Sequence, residues 1–297
     1  KEILDVPLEE GLDEGLQPPI RGAIEFKDVH FEYEKGRKIL DGISFRAEPG
    51  QTVAILGPTG SGKSSLVHLL QRLFDFQEGS IEIDGVDIRK IQKRWLRRHV
   101  GIVLQEPFLF SKTIKENIKL GRTGASDEEV YESARVAAIH DVVQEFENGY
   151  DTAVGERGVT LSGGQKQRVA MARTLIQNSP IIIFDDSLSA VDTETDAAIR
   201  KALRERTHKA TTFIISHRVT TLAEADLILV LENGKITQMG SHDELIQQEG
   251  LYKRIWSIQN ALEAELEQEL KDPAANGEEE NSTQPLETQT DAGVRKE

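Results

Sequence analysis

The stretch "TVAILGPTGSGKSSLVHLL", residues 52–70, places an apolar run, a glycine-rich turn and a leucine repeat in immediate succession. The apolar run ends in glycine, as a buried parallel strand does, and the leucines that follow, up to Leu73, have helical spacing. Between them, residues 57–64 fit the pattern G-x-x-x-x-G-K-[ST] in full. A strand that leads through such a turn into a helix predicts an α/β fold.

The glycine-rich turn has the chemistry of a phosphate loop. Glycines let backbone N–H groups converge on an anion, and the N-terminus of the following helix adds positive potential. In this pattern Lys63 reaches the β- and γ-phosphates, and the Ser64 hydroxyl ligates Mg²⁺. A purely structural glycine turn is the alternative, but the strand before it and the helix after it favour the phosphate loop. The residues predicted to contact nucleotide are Gly57, Pro58, Thr59, Gly60, Ser61, Gly62, Lys63, Ser64 and Ser65.

A second apolar run, residues 181–184, ends on two acids, Asp185 and Asp186. Alone, such a pair is more typical of a polar strand end or a helix cap than of a metal site. A phosphate loop in the same chain changes that interpretation, because a strand-end aspartate holds Mg²⁺ beside a bound nucleotide. We expect Asp185 to hold the magnesium shell and Asp186 to lie next to the attacking water.

The motif "LSGGQ", residues 161–165, is a second candidate anion site. Ser162, Gly163 and Gly164, followed by Gln165, open a predicted helix, so the same helix-terminus physics applies. As an isolated pentapeptide it would be a weak signal. Its position between the phosphate loop and the strand that ends in Asp makes it specific. Two phosphate-binding helix ends far apart in one chain suggest that two chains complete each other's sites.

The rest of the chain alternates strand and helix patterns, which implies a largely parallel sheet. Residues 23–33 alternate apolar and polar side chains, and "GSIEIDGVDI" is a hairpin pattern around Asp84-Gly85. The middle of the chain is richer in helix and contains a capping box at Ser126 and Glu129.

Composition excludes several classes of protein. The chain has no cysteine, so disulfides and thiol chemistry are excluded, and no apolar run approaches the roughly 18 residues of a membrane span. The net charge of −15 argues against a general nucleic-acid binder. A local basic run, residues 89–99, is interpreted as a solvated helix face rather than a nucleic-acid contact. The first residue is Lys1 rather than Met, which suggests a processed chain or a piece of a longer one.

Together the three motifs resemble those of the nucleotide-binding domain of an exporter-type ATP-binding cassette (ABC) transporter, over residues 23–257. The resemblance implies a P-loop NTPase core with a mostly parallel sheet, an N-terminal antiparallel β subdomain, and a helical subdomain at about 107–177 that carries LSGGQ. It implies ATP and Mg²⁺ as cofactors. Residues 1–22 are then a linker from an absent membrane domain, and residues 258–297 a terminal helix and an acidic tail whose composition predicts disorder.

The resemblance also assigns roles by position. Tyr33 corresponds to the aromatic residue that stacks on adenine, although its pattern alone also fits a core tyrosine on a strand face. Gln105 corresponds to the glutamine that contacts Mg²⁺ and the attacking water and senses the membrane domain, which the loop 154–158 also touches. His217 corresponds to the histidine that binds the γ-phosphate, and Asp192 to the loop that crosses the dimer interface.

Asp186 departs from the family pattern, in which Glu usually follows the magnesium aspartate. Its stem is one CH₂ shorter, so the carboxylate sits about 1.5 Å further back. Misplacement by about 1 Å can lower a rate on the order of a hundredfold. In this respect the chain resembles the degenerate half of a heterodimeric multidrug exporter, with a non-identical partner that carries Glu. A homodimer that hydrolyses ATP at both sites and an engineered Glu→Asp change are the alternatives.

The predicted function is to bind Mg·ATP, dimerise with a second nucleotide-binding domain and power export at the cytoplasmic face of the cell membrane. Hydrolysis is expected mainly at the partner's site, which this chain's LSGGQ completes. A soluble ABC ATPase that works on ribosomes or DNA is an alternative, but it predicts tandem cassettes and a basic surface. A nucleotide-binding regulator without turnover is another. The transported substrate is not encoded here, because substrate contacts in exporters lie in the membrane helices.

Overall fold

The computed structural model describes residues 9–155, 160–189, 191–205 and 210–271, with side chains up to residue 262. Its strands are β1 (Ile24–Glu32), β2 (Lys38–Ala47), β3 (Thr52–Leu56), β4 (Glu78–Ile83), β5 (Val86–Asp87), β6 (Val100–Val103), β7 (Ile181–Asp185), β8 (Thr211–Ile215), β9 (Leu227–Glu232) and β10 (Lys235–Gly240). Its α-helices are α1 (Lys63–Leu70), α2 (Lys93–His99), α3 (Ile114–Lys119), α4 (Asp127–Val136), α5 (His140–Gln144), α6 (Gly163–Leu175), α7 (Thr193–Glu205), α8 (Val219–Leu222), α9 (His242–Leu245) and α10 (Leu251–Lys271). The chain divides after Ile255 into a main unit and a second unit that begins at Trp256.

A six-stranded sheet forms the centre of the main unit, in the order β10-β9-β3-β8-β7-β6. Neighbouring strands are parallel except β9 and β10, which form an antiparallel hairpin. The hairpin turns at Asn233 and Gly234, both with positive φ, as the Asn-Gly pair favours. The α/β fold with a mostly parallel sheet is therefore confirmed.

The antiparallel β subdomain is a second sheet, in the order β2-β1-β4-β5. The predicted hairpin joins β4 to β5 through Asp84 and Gly85, whose φ values are 50° and 80°. The Asp84 carboxylate also accepts hydrogen bonds from the backbone N–H groups of Arg21, Gly22 and Ala23, at 2.6, 3.1 and 3.0 Å. Asp84 thus belongs to the turn of the hairpin and also anchors the backbone directly before β1.

Strand β7 contributes to two hydrophobic cores. Ile181 and Ile183 pack into a core shared with the antiparallel sheet and α1, whereas Ile182 and Phe184 pack into a core shared with α3 to α7. Successive side chains of a strand point to opposite faces of the sheet, so a strand covered on both faces needs an unbroken apolar run. This explains the sequence that precedes Asp185.

The helical part lies between β6 and β7 and consists of α3, α4, α5 and α6. The predicted capping box of α4 is present: the Ser126 hydroxyl accepts from the Glu129 N–H, and the Glu129 carboxylate accepts from the Ser126 N–H. Among the described helices, none is long and apolar enough to cross a membrane.

Residues 9–18, which we call the strap, lie along α2. Glu9 forms ion pairs with Lys93 and Arg97, at 3.1 and 2.6 Å, and Asp13 pairs with Arg94 at 2.6 Å. Further along the strap, backbone bonds join Leu16 to Lys90 and Gln92, and Pro18 accepts a bond from the Trp95 indole. The basic run 89–99 is therefore not a purely solvated face, because two acids from a distant part of the chain pair with three of its basic residues.

Candidate nucleotide-binding site

The predicted phosphate-loop, magnesium and γ-phosphate residues meet at one edge of the six-stranded sheet. Strand β3 leads into residues 57–64, β7 ends at Asp185, and β8 ends two residues before His217. The carboxyl ends of these parallel strands lie side by side, which is where open α/β sheets bind ligands.

The phosphate loop keeps the N-terminus of α1 open. Gly62 precedes the helix with a φ of 102°, and α1 has neither a side-chain cap nor an acidic residue in its first turn. Its first backbone N–H groups therefore point out of the helix with the positive end of the helix dipole behind them. Gly57 is required by space, since a Cβ there would lie 2.1 Å from the carbonyl oxygen of Leu231.

Lys63 folds back over the loop. Its Nζ donates to the carbonyl oxygens of Gly57 and Pro58, at 2.7 and 2.9 Å. Burial lowers the pKa of Lys63, and the nearby carboxylates of Asp185 and Asp186 act in the opposite direction. The ammonium group thus lies between the loop and the acids, where it can meet phosphate oxygens.

Ser64 and Asp185 present oxygens to the same point. Ser64 Oγ donates to Asp185 Oδ1 at 2.9 Å, and His68 Nε2 lies 3.4 Å from Asp185 Oδ2. Hydroxyl and carboxylate oxygens are the ligands that Mg²⁺ prefers, with phosphate oxygens and water completing its shell. These residues therefore fit a magnesium ion, which Ser64 and Asp185 would hold. Gln105, the third predicted ligand, lines the same cavity, and its Nε2 donates to Asp186, so its contact with the ion stays a prediction.

Asp186 occupies a constrained position beside this pair. Its φ is 48°, its N–H donates to the Ile215 carbonyl at 3.1 Å, and Gln105 Nε2 donates to its Oδ2 at 3.4 Å. Its Oδ1 is buried without a hydrogen-bond partner in the described part of the chain. Burial raises the pKa of Asp186, partly offset by the nearby His217. A carboxylate with a raised pKa is a better proton acceptor, which suits a group that orients or deprotonates water.

An open cavity of about 390 Å³ joins these groups to Tyr33. The Tyr33 side chain is half-exposed, its hydroxyl lies 3.0 Å from Ser65 Oγ, and its ring packs edge-on against Phe74. The ring also packs against Phe31, at 4.7 Å between ring centroids. Because half of the side chain is exposed, the alternative of a core tyrosine is wrong, and Tyr33 lines the cavity. The lining residues are Tyr33, Arg37, Ile39, Thr59, Gly60, Gly62, Lys63, Ser64, Ser65, Gln105, Asp185, Asp186, Ile215 and His217.

Comparison with known families identifies this architecture. The profile of the ABC transporter family matches residues 40–189, about half of the chain, from β2 past both strand-end acids. The chain belongs to the ABC transporter family. Within that family it is the ATP-binding domain, and the cavity is the place where its ATP-binding motifs meet.

Two relatives and one solved structure cover most of this ABC domain. Heavy metal tolerance factor 1 of Caenorhabditis elegans is 48% identical over 241 residues, which are 81% of this chain and 30% of that protein. The β-(1→2)glucan export ATP-binding/permease protein NdvA of Rhizobium johnstonii is 46% identical over 244 residues, 82% of this chain and 42% of that protein. A bacterial Atm1-family ABC exporter with ATP bound has a TM-score of 0.79 and 45% identity, over 86% of this chain and 44% of that one. The chain spans less than half the length of each.

The ABC signature lies apart from the cavity of its own chain. Ser162 and Gln165 form a capping box at the N-terminus of α6, and Gly163 has open space around it. The described capping boxes of α3, α4 and α9 have Glu at the position that Gln165 occupies in α6. The start of α6 is thus capped without negative charge, which leaves its dipole available to an anion. Neither these residues nor Gly164 line the cavity.

Asp192 also lies outside the cavity lining and begins α7. Its carboxylate accepts bonds from the Thr195 N–H and hydroxyl, at 2.8 and 2.7 Å, and these bonds lower the pKa of Asp192. Of the loop 154–158, only Val154 and Gly155 lie within the described residues. The contact of that loop with a membrane domain stays a prediction.

Two side chains that the motifs did not single out support the site. Arg218 donates to the carbonyls of Ser189 and Val191, at 3.1 and 2.9 Å, and so holds the loop before Asp192. Gln167, fully buried in α6, donates to the Leu104 carbonyl at 2.9 Å, next to Gln105. A glutamine inside a helix has no sequence signature for such a role, because its partner lies on a distant loop.

Proposed function

We propose that this chain is the ATP-hydrolysing motor domain of an ABC exporter at the cytoplasmic face of the cell membrane. It binds Mg·ATP in the cavity, dimerises with a second nucleotide-binding domain and drives export through a membrane domain. Gln105 and the loop 154–158 contact that membrane domain. Residues 1–22 connect to it.

The observation that carries this proposal is the meeting of Lys63, Ser64 and Asp185 beside the open N-terminus of α1. Positive charge, a hydroxyl and a carboxylate converge there, with Ser64 Oγ 2.9 Å from Asp185 Oδ1. Catalysis of phosphoryl transfer consists mainly of positioning and charge stabilisation, which these groups supply. A bound Mg²⁺ would neutralise charge on the phosphate oxygens.

Three further side chains serve hydrolysis in this proposal. Asp186 orients the attacking water, while Gln105 holds its Oδ2 and so fixes the orientation of the carboxylate. His217, close enough to Asp186 to influence its pKa, binds the γ-phosphate. Tyr33 stacks on the adenine at the mouth of the cavity.

The signature supports dimerisation. Ser162 and Gly163 are exposed, and they lie outside the cavity that the phosphate loop of the same chain lines. A neutral helix N-terminus on the surface suits a phosphate group presented by another chain. Each signature therefore completes the ATP site of the partner.

The side chain of Asp186, which is shorter than that of Glu, supports two ATP sites that hydrolyse ATP at unequal rates. The bond from its N–H to the Ile215 carbonyl limits how far the backbone can move to compensate for the lost methylene. A carboxylate set back by about 1.5 Å would slow hydrolysis on the order of a hundredfold while leaving ATP binding intact. Turnover then occurs mainly at the site of a non-identical partner that has Glu in the equivalent position.

The cargo is not determined by this domain. Relatives of nearly equal identity, 48% and 46%, carry names that refer to heavy-metal tolerance and to β-(1→2)glucan export. A multidrug cargo would fit the degenerate-site pattern, but contacts with cargo belong to the membrane domain.

The test is Asp186→Glu in the intact protein, with steady-state ATP turnover and ATP occupancy of both sites measured together. We expect ATP hydrolysis at the Asp186 site itself to rise about tenfold or more, because the restored methylene returns the carboxylate to the attacking water. Total kcat should rise only about twofold, because the partner's site already turns over. Asp28→Glu is the matched control, since Asp28 has the same φ of 48° but lies outside the cavity. Its turnover should equal that of the wild type.

If the wild type already hydrolyses ATP at both sites and Asp186→Glu changes hydrolysis at its own site less than about twofold, the unequal-site proposal fails. A homodimeric ATPase then becomes the better description. Wild-type protein that binds ATP but shows no turnover with any partner would contradict the motor function itself.

A further inference from the structure

Helices α7 and α8 are joined by a buried polar cluster. Thr221 Oγ1 donates to Asp196 Oδ2 at 2.7 Å, and Arg200 Nε donates to Asp196 Oδ1 at 3.4 Å. The exposed fractions of Asp196, Thr221 and Arg200 are 1%, 1% and 6%. Arg200 also pairs with Glu224, just beyond α8. We call Asp196, Arg200 and Thr221 the α7–α8 clamp.

The clamp lies one helical turn from two residues of the ATP site. The Asp196 N–H donates to the Asp192 carbonyl at 2.9 Å, so the clamp is anchored to the loop assigned to the dimer interface. On α8, the Thr221 N–H donates to the Arg218 carbonyl at 3.2 Å, and Arg218 directly follows His217. The clamp therefore bonds the helix that follows Asp192 to the helix that follows His217.

Stability alone does not require this arrangement. Well-packed apolar residues of similar volume stabilise a fold at least as well as a buried ion pair. A short hydrogen bond between a hydroxyl and a carboxylate has a different effect: its strict geometry holds the two helices at a fixed distance. The guanidinium of Arg218, bonded to the Ser189 and Val191 carbonyls, makes a second connection between the same two segments.

We propose that Asp196 and Thr221 are positioning residues for ATP hydrolysis, which hold His217 in register with the loop of Asp192. When the partner domain contacts Asp192, α7 and α8 move as one body, and His217 reaches the γ-phosphate. This proposal rests on the proposed function, because it requires ATP hydrolysis in a dimer. Neither residue contacts nucleotide.

The test compares Thr221→Val with Thr221→Ser in the intact protein. Valine keeps the volume but removes the donor to Asp196, and serine keeps the donor. We expect Thr221→Val to lower kcat at this chain's own ATP site, counted separately from the partner's site, at least about tenfold, the size of effect that small misplacements produce. The KM for ATP at that site should change less than twofold. Thr221→Ser should retain at least half of the wild-type kcat.

Ser133→Ala is the control for a general loss of stability. Ser133 is also buried, with an exposed fraction of 4%, and its hydroxyl donates to the Val130 carbonyl at 2.9 Å, in the helical part of the fold. We expect this variant to lower the melting temperature without lowering kcat. If Ser133→Ala reduces kcat as much as Thr221→Val does, the clamp has only a structural role.

A double-mutant cycle tests the connection to Asp192. If the clamp transmits the partner contact, Asp192→Ala combined with Thr221→Val should lose no more than about twofold beyond Asp192→Ala alone, because coupled sites are not additive. Multiplicative losses would overturn the proposal, as would a wild-type kcat in Thr221→Val. Absence of turnover in the wild type would contradict the motor function, and this proposal with it. If the wild type turns over ATP and Thr221→Val has the same rate, only the role of the clamp is contradicted.

Discussion

Tyr33 is a residue whose surroundings make a specific prediction. Half of its side chain is exposed at the mouth of the cavity, and its hydroxyl is 3.0 Å from Ser65. Stacking of a base on an aromatic ring is worth about 1–3 kcal/mol. Tyr33→Leu should therefore raise the KM for ATP at this chain's own site about tenfold and leave kcat at that site unchanged, because stacking acts equally on the ground state and the transition state. Steady-state kinetics over a range of ATP concentrations measures both constants.

Tyr33→Phe is the control, since it keeps the ring and removes only the contact with Ser65. Its KM should stay within about twofold of the wild type, because a single exposed neutral hydrogen bond contributes little. An unchanged KM in Tyr33→Leu would mean that the ring serves only to pack against Phe74.

Single residues of the site were predictable where a motif fixes their spacing. Lys63, Ser64 and Asp185 were assigned from sequence, and the structure brings them together. Ser64 and Asp185 are joined by a hydrogen bond of 2.9 Å. The left-handed backbone of Asp186 was not predictable, since it depends on where β8 runs beside β7. The role of Arg218 was hidden for the same reason: its partners are backbone carbonyls, which no side-chain pattern records.

The strap is the element whose stability should depend on pH. Hydrogen bonds from Arg97 and Lys93 lower the pKa of Glu9 to about 2, from an ordinary value of 4.5. Because the pKa of Glu9 is lower in the folded state than in the unfolded state, ionised Glu9 stabilises the fold fully above pH 4.5. This stabilisation is lost as the pH falls towards 2. The difference in free energy of unfolding between wild type and Glu9→Gln should be on the order of 1 kcal/mol or less at pH 7, given solvent screening, and should shrink below pH 4.5.

Urea unfolding of both proteins from pH 7 down to pH 3 measures this difference. Glu10→Gln is the matched control, since Glu10 has no ion-pair partner within the described chain. Its difference from wild type should be small at every pH. If the free energy of unfolding of Glu9→Gln differs from that of the wild type by the same amount from pH 7 to pH 3, the ion pairs of Glu9 are not the cause of the difference.

Elements with local signals were predictable, and the strap was not. The hairpin from β9 to β10 follows from Asn233 and Gly234, and the start of α4 from Ser126 and Glu129, because each signal lies within a few residues. The strap has no such signal, since Glu9 and Arg97 are 88 residues apart. Periodicity detects one face of one element and does not show which distant charges will meet.

At the scale of the whole molecule, the signature should matter to the partner and not to its own chain. A Cβ at Gly163 would meet nothing within 4 Å, so Gly163→Asp should leave the free energy of unfolding within about 0.5 kcal/mol. ATP binding to the cavity of the same chain should also be unchanged. Turnover of the assembly should fall at least about tenfold, because the new carboxylate repels the phosphate that the partner presents. Calorimetry, ATP binding and ATPase assays on one preparation test all three statements.

Gly124→Asp is the control for the added charge. A Cβ at Gly124 also meets nothing within 4 Å, and Gly124 is remote in sequence from the signature. Its turnover should match the wild type. Full activity in Gly163→Asp would show that this signature completes no hydrolytic site, and the proposal that it completes the partner's ATP site would have to be abandoned.

The strap also defines where a recombinant form of this domain can be cut. A version that started at Ala23, where β-strand sequence begins, would leave Lys93, Arg94 and Arg97 without their acids and the Trp95 indole without its acceptor. We expect such a surface, basic and partly aromatic, to attract nucleic acid and other chains during purification, although the 297 residues together carry a net charge of −15. A start at residue 9 keeps that face covered, so the practical boundary of the domain lies ahead of its first strand.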